Sequence, residues 1–233
     1  MSSSSKIQKV WVPVRAPTAF NQVELPRIMS QSIEAALNRR ITVSLSDITG
    51  DIRQVQLFLK FRVIDVTGGV ARTRFDQLEL AREFVRGLSR RGTTKTEAVS
   101  DVSTRDGALV RVFVVAVTRG KIHRSKRTAV RALAYQILEE KANKLGFDQF
   151  TQEIVLGKAA AEIFAASRKI ASINTLEIRK VKVLRPPTPG FATEELAESP
   201  EVSGENTAED ANARPTESYE KSGVNEEADP AQT

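Results

Sequence analysis

The chain of 233 residues has no cysteine, one histidine (His123), one tryptophan and two tyrosines. Each scarcity removes a class of function. Without thiols there are no disulfides and no thiolate metal sites, which suits a reducing, intracellular compartment. A lone histidine leaves zinc short of ligands. It also leaves a nucleophile–histidine pair one possible base, in a segment with no nearby acid to orient it. No run of about 18 apolar residues exists, as a membrane-spanning helix would require. The opening MSSSSKIQKV lacks the apolar stretch of a secretory signal. Neither GxGxxG nor GxxxxGK[ST] occurs, so the familiar phosphate loops are absent. The expectation is a soluble cytosolic protein with no cofactor, no metal, no membrane partner and no small-molecule substrate.

What the chain has in excess is positive charge, unevenly placed. Its net charge is +6. From Pro186 to Thr233 there are twelve acids against two bases, a balance of −10, which leaves +16 on residues 1–185. That exceeds the net charge of roughly 2–8 that solubility alone asks of a small domain, and nucleic acid is the commonest partner for such a body.

The hydrophobic share of 40% with only 6% aromatics allows an aliphatic core. Residues 1–8 read as a flexible arm. KVWVPVRAP (9–17) alternates and ends in proline, as an edge strand or extended arm would. LPRIMSQSIEAALNRR (25–40) suggests a short helix, and ITVSLSDITGD (41–51) a strand entering a turn. In 53–66, Val55, Leu57, Leu59, Phe61 and Val63 alternate with Gln56, Lys60 and Arg62, the period of a half-buried strand. TGG (67–69) is a turn, and VARTRF (70–75) returns as the next strand. DQLELAREFVRGLSRR (76–91) switches to helical spacing, with Asp76 as its cap and Leu78, Ala81, Val85 and Leu88 as its stripe. TKTEAVSDVST and ALVRVFVVAVT flank RDG (105–107), a strong hairpin signal. Helices follow over 125–145 and 148–170, the latter interrupted near Gly157, and a final strand spans 173–184. RPPTPG ends the folded part. The tail, rich in Glu, Ser, Asn, Ala, Thr and Pro, reads as disordered. The prediction is an α+β fold with a curved, mainly antiparallel sheet (a partial barrel) and about three to four helices. One domain, 9–187, carries it, followed by a disordered acidic tail, 188–233.

SDITGD places Asp47 and Asp51 four residues apart. They could bind Mg²⁺ in a nuclease, but Asp and Gly in this pattern more commonly form turns. The basic stretch from Thr118 to Arg131 carries more weight, because it contains six Lys or Arg, His123 and no acid. The helix over 125–145 therefore begins with Lys121, Arg124, Lys126 and Arg127 where its own dipole disfavours cations. Glu139 and Glu140 lie toward the other end, softened only by Lys141 and Lys144. At 100° per residue, Arg124, Arg127 and Arg131 fall within about 60° of one another, with Tyr135 continuing that side and Val130, Leu133 and Ile137 forming an apolar stripe apart from it. The helix read over 76–91 is the counter-example, with its acids first and its arginines last. Candidate RNA-contacting residues are Lys60, Arg62, Arg72, Arg74, Arg86, Arg90, Arg91, Lys95, Arg119, Lys121, His123, Arg124, Lys126, Arg127 and Arg131. With few aromatics among them to stack bases, phosphate contact with a structured RNA fits better than readout of a short single strand.

The collinear segments KVWVPVRAPTAF, VSLSDITGD, LELAREFVRGLSRRGTTKTEAVSDVSTRDG and EIRKVKVLRPP resemble the archaeal and eukaryotic small-subunit ribosomal proteins of the S-three-A-e (e-S-one) family, over about residues 6–187. Length, the lack of a long lysine-rich extension and the absence of cysteine look archaeal. The resemblance implies a non-catalytic component of the small-subunit platform. It would contact small-subunit rRNA near its 3′ end, beside neighbouring ribosomal proteins and close to the mRNA exit. The alternatives are a free RNA chaperone or translation regulator, and a Mg²⁺-dependent nuclease using Asp47 and Asp51. The acidic tail is expected to temper non-specific RNA binding before assembly. Deleting residues 190–233 should then increase retention of unrelated RNA, and unchanged retention would contradict that role.

Overall fold

Alternation of apolar and charged residues yields a strand whose inner face is fully dry. In the computed structural model, which describes residues 9–187 except Ile33, β4 (Leu57–Thr67) buries Leu59, Phe61 and Val63 completely while Lys60 and Arg62 sit on its other side. The strand begins later than its sequence suggests. Ile52–Gln54 form a 3-10 turn capped by Asp51, and Val55 is half exposed. Gly68 and Gly69, both with positive φ (+60° and +79°), join β4 to β5 (Val70–Leu80). Positive φ at both central positions is what a primed hairpin turn needs, and glycine supplies it without steric cost.

β5 corrects the expected helix over 76–91. The strand continues to Leu80, and the helix α2 is confined to Arg82–Leu88, with Ala81 rather than Asp76 at its N-cap. The cause is pairing on both edges. β4 bonds one edge along its length, from Thr67↔Val70 to Leu57↔Leu80. The other edge is shared by β1 (Val10–Arg15), parallel through Val14↔Ala71, and by β8 (Ile173–Arg185), antiparallel through Gln77↔Lys182. Asp76 is the extra residue of a bulge, since Phe61 faces Phe75 and Lys60 faces Gln77. Phe75, Leu78 and Leu80 thereby all reach the core.

β1 is therefore interior, with β2 (Glu24–Ser30) at the edge beyond it. The expected helix within 25–40 reduces to a 3-10 turn at Glu34–Ala36, and most of its first half is strand. Pro26 is compatible with that strand because an edge does not need its N–H. β3 (Arg40–Ser44) pairs with β4, and one turn of helix, α1 (Leu45–Thr49), follows it. β6 (Lys95–Ser103) and β7 (Leu109–Thr118) form the hairpin read from RDG, and β7 pairs with β8. The result is a mixed, mainly antiparallel sheet of eight strands that does not close.

Helices α3 (Arg124–Lys144), α4 (Phe147–Val155) and α5 (Lys158–Ser167) cover one face of the sheet. The deepest row of α3 is Val130, Ala134, Leu138 and Ala142, with Leu133 and Ile137 only partly buried. The stripe is thus rotated from the expected Val130, Leu133 and Ile137, toward small residues that allow close approach. The hairpin turn ties into this layer. Asp106 accepts the Phe147 N–H at the start of α4, and the Arg105 N–H reaches the carbonyls of Ala142 and Leu145 at the end of α3. Four phenylalanines join the layers, with Phe20 edge-on to Phe61 at 5.3 Å, stacked on Phe75 at 6.2 Å, and Phe75 at 6.4 Å from Phe147. The expected arm (1–8) and tail (188–233) lie outside the described residues.

Gly157 breaks α4 from α5 at φ +75°, with open space where a Cβ would point. Gly157→Ala should therefore cost only the left-handed backbone penalty of about 1–2 kcal/mol. That corresponds to a loss of roughly 2–8 °C in thermal midpoint; an unchanged midpoint would show that the break tolerates a side chain.

Candidate nucleic-acid interface

A helix starting without a side-chain cap keeps its first N–H groups available. His123 occupies the N-cap of α3 in extended conformation and caps nothing with its ring, whose Nδ1 lies 3.4 Å from Ser125 Oγ. Arg124, Ser125 and Lys126 make up an exposed first turn with no acid. The three arginines expected on one side of α3 do lie there, but they differ. Arg124 is exposed. Arg127 is half-buried with its Nε enclosed and unbonded, and Arg131 donates its Nε–H to the Glu97 carbonyl of β6 at 2.9 Å. Tyr135 continues that side, 38% exposed. The dipole contrast narrows to one helix end: α2 has Glu83 in its first turn and Arg86 in its last but starts on Arg82, while α3 has cations and no acid in its first turn yet ends on Lys141 and Lys144, where its dipole favours them.

The uncovered face of the sheet carries the second group. Here several candidates are joined to carboxylates. Lys60 bonds Glu79 at 2.8 Å, with Lys180 at 4.0 Å from the same residue. Asp76, far from capping a helix, holds Arg40 at 2.8 Å and Arg62 at 3.3 Å. Arg74 stands directly opposite Arg62, a like-charge pair. Burial, and then the Arg62 charge, hold the Arg74 guanidinium below its usual range. Lys95 bonds Glu97 at 2.7 Å, and Arg179 reaches the same carboxylate at 3.2 Å. Arg72, Arg86, Arg90, Arg91, Arg119 and Lys121 are exposed. Arg119 and Lys126, distant in sequence from Arg168 and Lys169, line one cleft with them. The latter two were not foreseen, because cations after a helix C-terminus look like ordinary dipole partners.

The acids behave as structural counter-charges. The Lys60 hydrogen bond foremost, with Lys180 nearby, holds the Glu79 carboxyl below the usual carboxylate range against the opposing effect of burial. A lowered folded pKa contributes stability above about pH 4 that is lost as pH falls through it. Lys60→Met should accordingly cost up to about 1 kcal/mol at pH 7 and less near pH 2, below the usual carboxylate range. Thermal melts at both pH values check this, and equal destabilisation at both would contradict it. Asp51 does turn work, its Oδ1 accepting the Arg53 N–H at 3.0 Å, and Asp47 stands in the first turn of α1, its backbone N–H donating to the capping Ser44 Oγ at 3.3 Å. Among the described residues, no group of three or more His, Cys, Asp or Glu is placed to hold a metal, and no helix is long and apolar enough to cross a membrane.

The ribosomal S3Ae family profile matches residues 4–187. The chain belongs to the ribosomal S3Ae family. Similar proteins include the small ribosomal subunit protein eS1 of Saccharolobus solfataricus, 41% identical over 179 residues, covering 77% of this chain and 86% of that one. That of Sulfurisphaera tokodaii is 38% identical over 192 residues, covering 80% of this chain and 100% of its own. That of Saccharolobus islandicus (strain L.S.2.15) is 40% identical over 179 residues, covering 77% and 86%. The match to the S3Ae family spans every strand and helix described above. Its end at residue 187 leaves the acidic tail outside.

Proposed function

We propose that this chain is a structural, non-catalytic protein of the small ribosomal subunit that binds rRNA through its phosphates. It sits on the platform, near the rRNA 3′ end and the mRNA exit. The observation that carries the reading is the uncapped start of α3, where the exposed Arg124 and Lys126 share the first turn with N–H groups that already favour an anion. A family whose relatives are named for the small subunit supports the assembly. The exposed Trp11, paired across β1 and β2 with the exposed Met29, supports a protein neighbour. An apolar pair at a sheet edge is a natural contact for another ribosomal protein.

Binding of small-subunit rRNA measured against salt tests the phosphate basis. With roughly 6–10 phosphate contacts, affinity should fall about 10³–10⁵-fold between 50 and 200 mM salt. A flat profile would contradict it.

A further inference from the structure

The cleft beside the start of α3 collects more charge than any one element explains. Arg119 follows β7, Lys126 lies in the first turn of α3, and Arg168 and Lys169 follow α5. The hollow they border is about 470 Å³, and no acid lines it. Arg168 and Lys169 stand where the α5 dipole favours cations. Lys126 stands where the α3 dipole opposes one, and Arg119 belongs to no helix. Convergence of all four on one hollow is what needs a partner.

We infer that this cleft seats one nucleotide unit of an RNA backbone, a phosphodiester with its ribose, kinked out of the path of the strand. The inference rests on the rRNA-binding reading above and names where a principal contact falls. A hollow of this size lies in the range of single small-molecule sites, which suits one nucleotide. Its one aromatic ring, Phe164, lies beneath the Arg168 guanidinium at 5.7 Å. The ring therefore orients that arginine, which occupies the ring face it stands over. The Arg119 N–H is bonded to the Ser172 carbonyl at 3.0 Å, which fixes the exit of β7 against the entry of β8. Exposed Ser172 and Asn174 on the lining supply a hydroxyl and an amide suited to the ribose 2′-OH. Recognition is of phosphate and sugar, independent of base.

The test uses the full chain and a small-subunit rRNA transcript, with affinity followed across salt. Arg168→Gln with Lys169→Gln should make the slope of log K against log salt shallower by about 0.7–0.9, one lost phosphate contact's worth, and weaken binding about tenfold. Lys144→Gln with Lys158→Gln, an equal charge change on exposed residues away from the cleft, should leave both nearly unaltered. Arg168→Lys with Lys169→Arg should retain most of the affinity, which separates lost charge from disturbed packing. If the cleft variant matches the Lys144/Lys158 control while the wild type keeps its steep salt dependence, the cleft assignment is overturned and rRNA binding stands. If the wild type itself shows no salt-dependent binding, the underlying reading fails and the cleft assignment with it.

Discussion

Arg124→Glu, Arg127→Glu and Arg131→Glu combined should make the salt dependence of rRNA binding shallower by about 2–3 in slope. The effect should be unequal across the three. Arg124 is exposed at the first helical position, whereas Arg131 already spends its Nε–H on the Glu97 carbonyl. Arg124→Glu should thus account for more of the loss than Arg131→Glu. The same substitution carries an opposite sign in stability. A carboxylate at the α3 N-terminus suits the dipole that a guanidinium opposes, so Arg124→Glu should stabilise the fold by about 0.3–1 kcal/mol. Weaker binding with a raised thermal midpoint is the signature of a residue retained for a partner. Weaker binding with a lowered midpoint would mean that Arg124 serves the fold.

The second large effect is in the core. Phe61 is completely buried on β4, lies opposite Ile41 and Phe75 on the flanking strands, and meets Phe20 edge-on. Phe61→Ala removes the ring from the place where β3, β4 and β5 share one apolar face. The cost should be about 3–5 kcal/mol, or roughly 6–20 °C in thermal midpoint. At temperatures where the variant remains folded, its rRNA affinity and salt slope should match the wild type, because the cations belong to other surfaces. A drop of under 1 kcal/mol would mean that the phenylalanine cluster repacks around the gap.

These contrasts show what local sequence could and could not specify. The hairpin at RDG, the limits of α3, the break at Gly157 and the alternation from Leu57 onward are each set by residues within a few positions of one another. Asp76–Leu80 is different. Leu78, Ala81, Val85 and Leu88 keep a helical period, and the bulge at Asp76 hides the strand alternation that places Phe75, Leu78 and Leu80 inward. The deciding interaction is with β8, a hundred residues away in sequence, which needs Gln77–Glu79 extended as its partner. The same holds for Pro26, which reads as irregular until its strand is seen at a sheet edge.

The candidate interface was legible as charge but not as geometry. The crowding of cations at the start of α3 is visible from spacing alone. That Lys60 and Arg62 are paired with Glu79 and Asp76 is not, because those acids come from the neighbouring strand and read as part of a helix, whereas Lys95 and Glu97 lie two apart on β6 and their pairing is local. The cleft formed by Arg119, Lys126, Arg168 and Lys169 depends on three segments meeting, and no local pattern signals it.

Sedimentation of a cell extract at moderate and high salt tests the central claim most directly. The account predicts that the chain moves with the small ribosomal subunit, one copy per subunit, and stays with it through the moderate-salt gradient. Recovery at the top of that gradient, or in amounts unrelated to the subunit, would contradict a structural ribosomal role and favour a free RNA-binding protein.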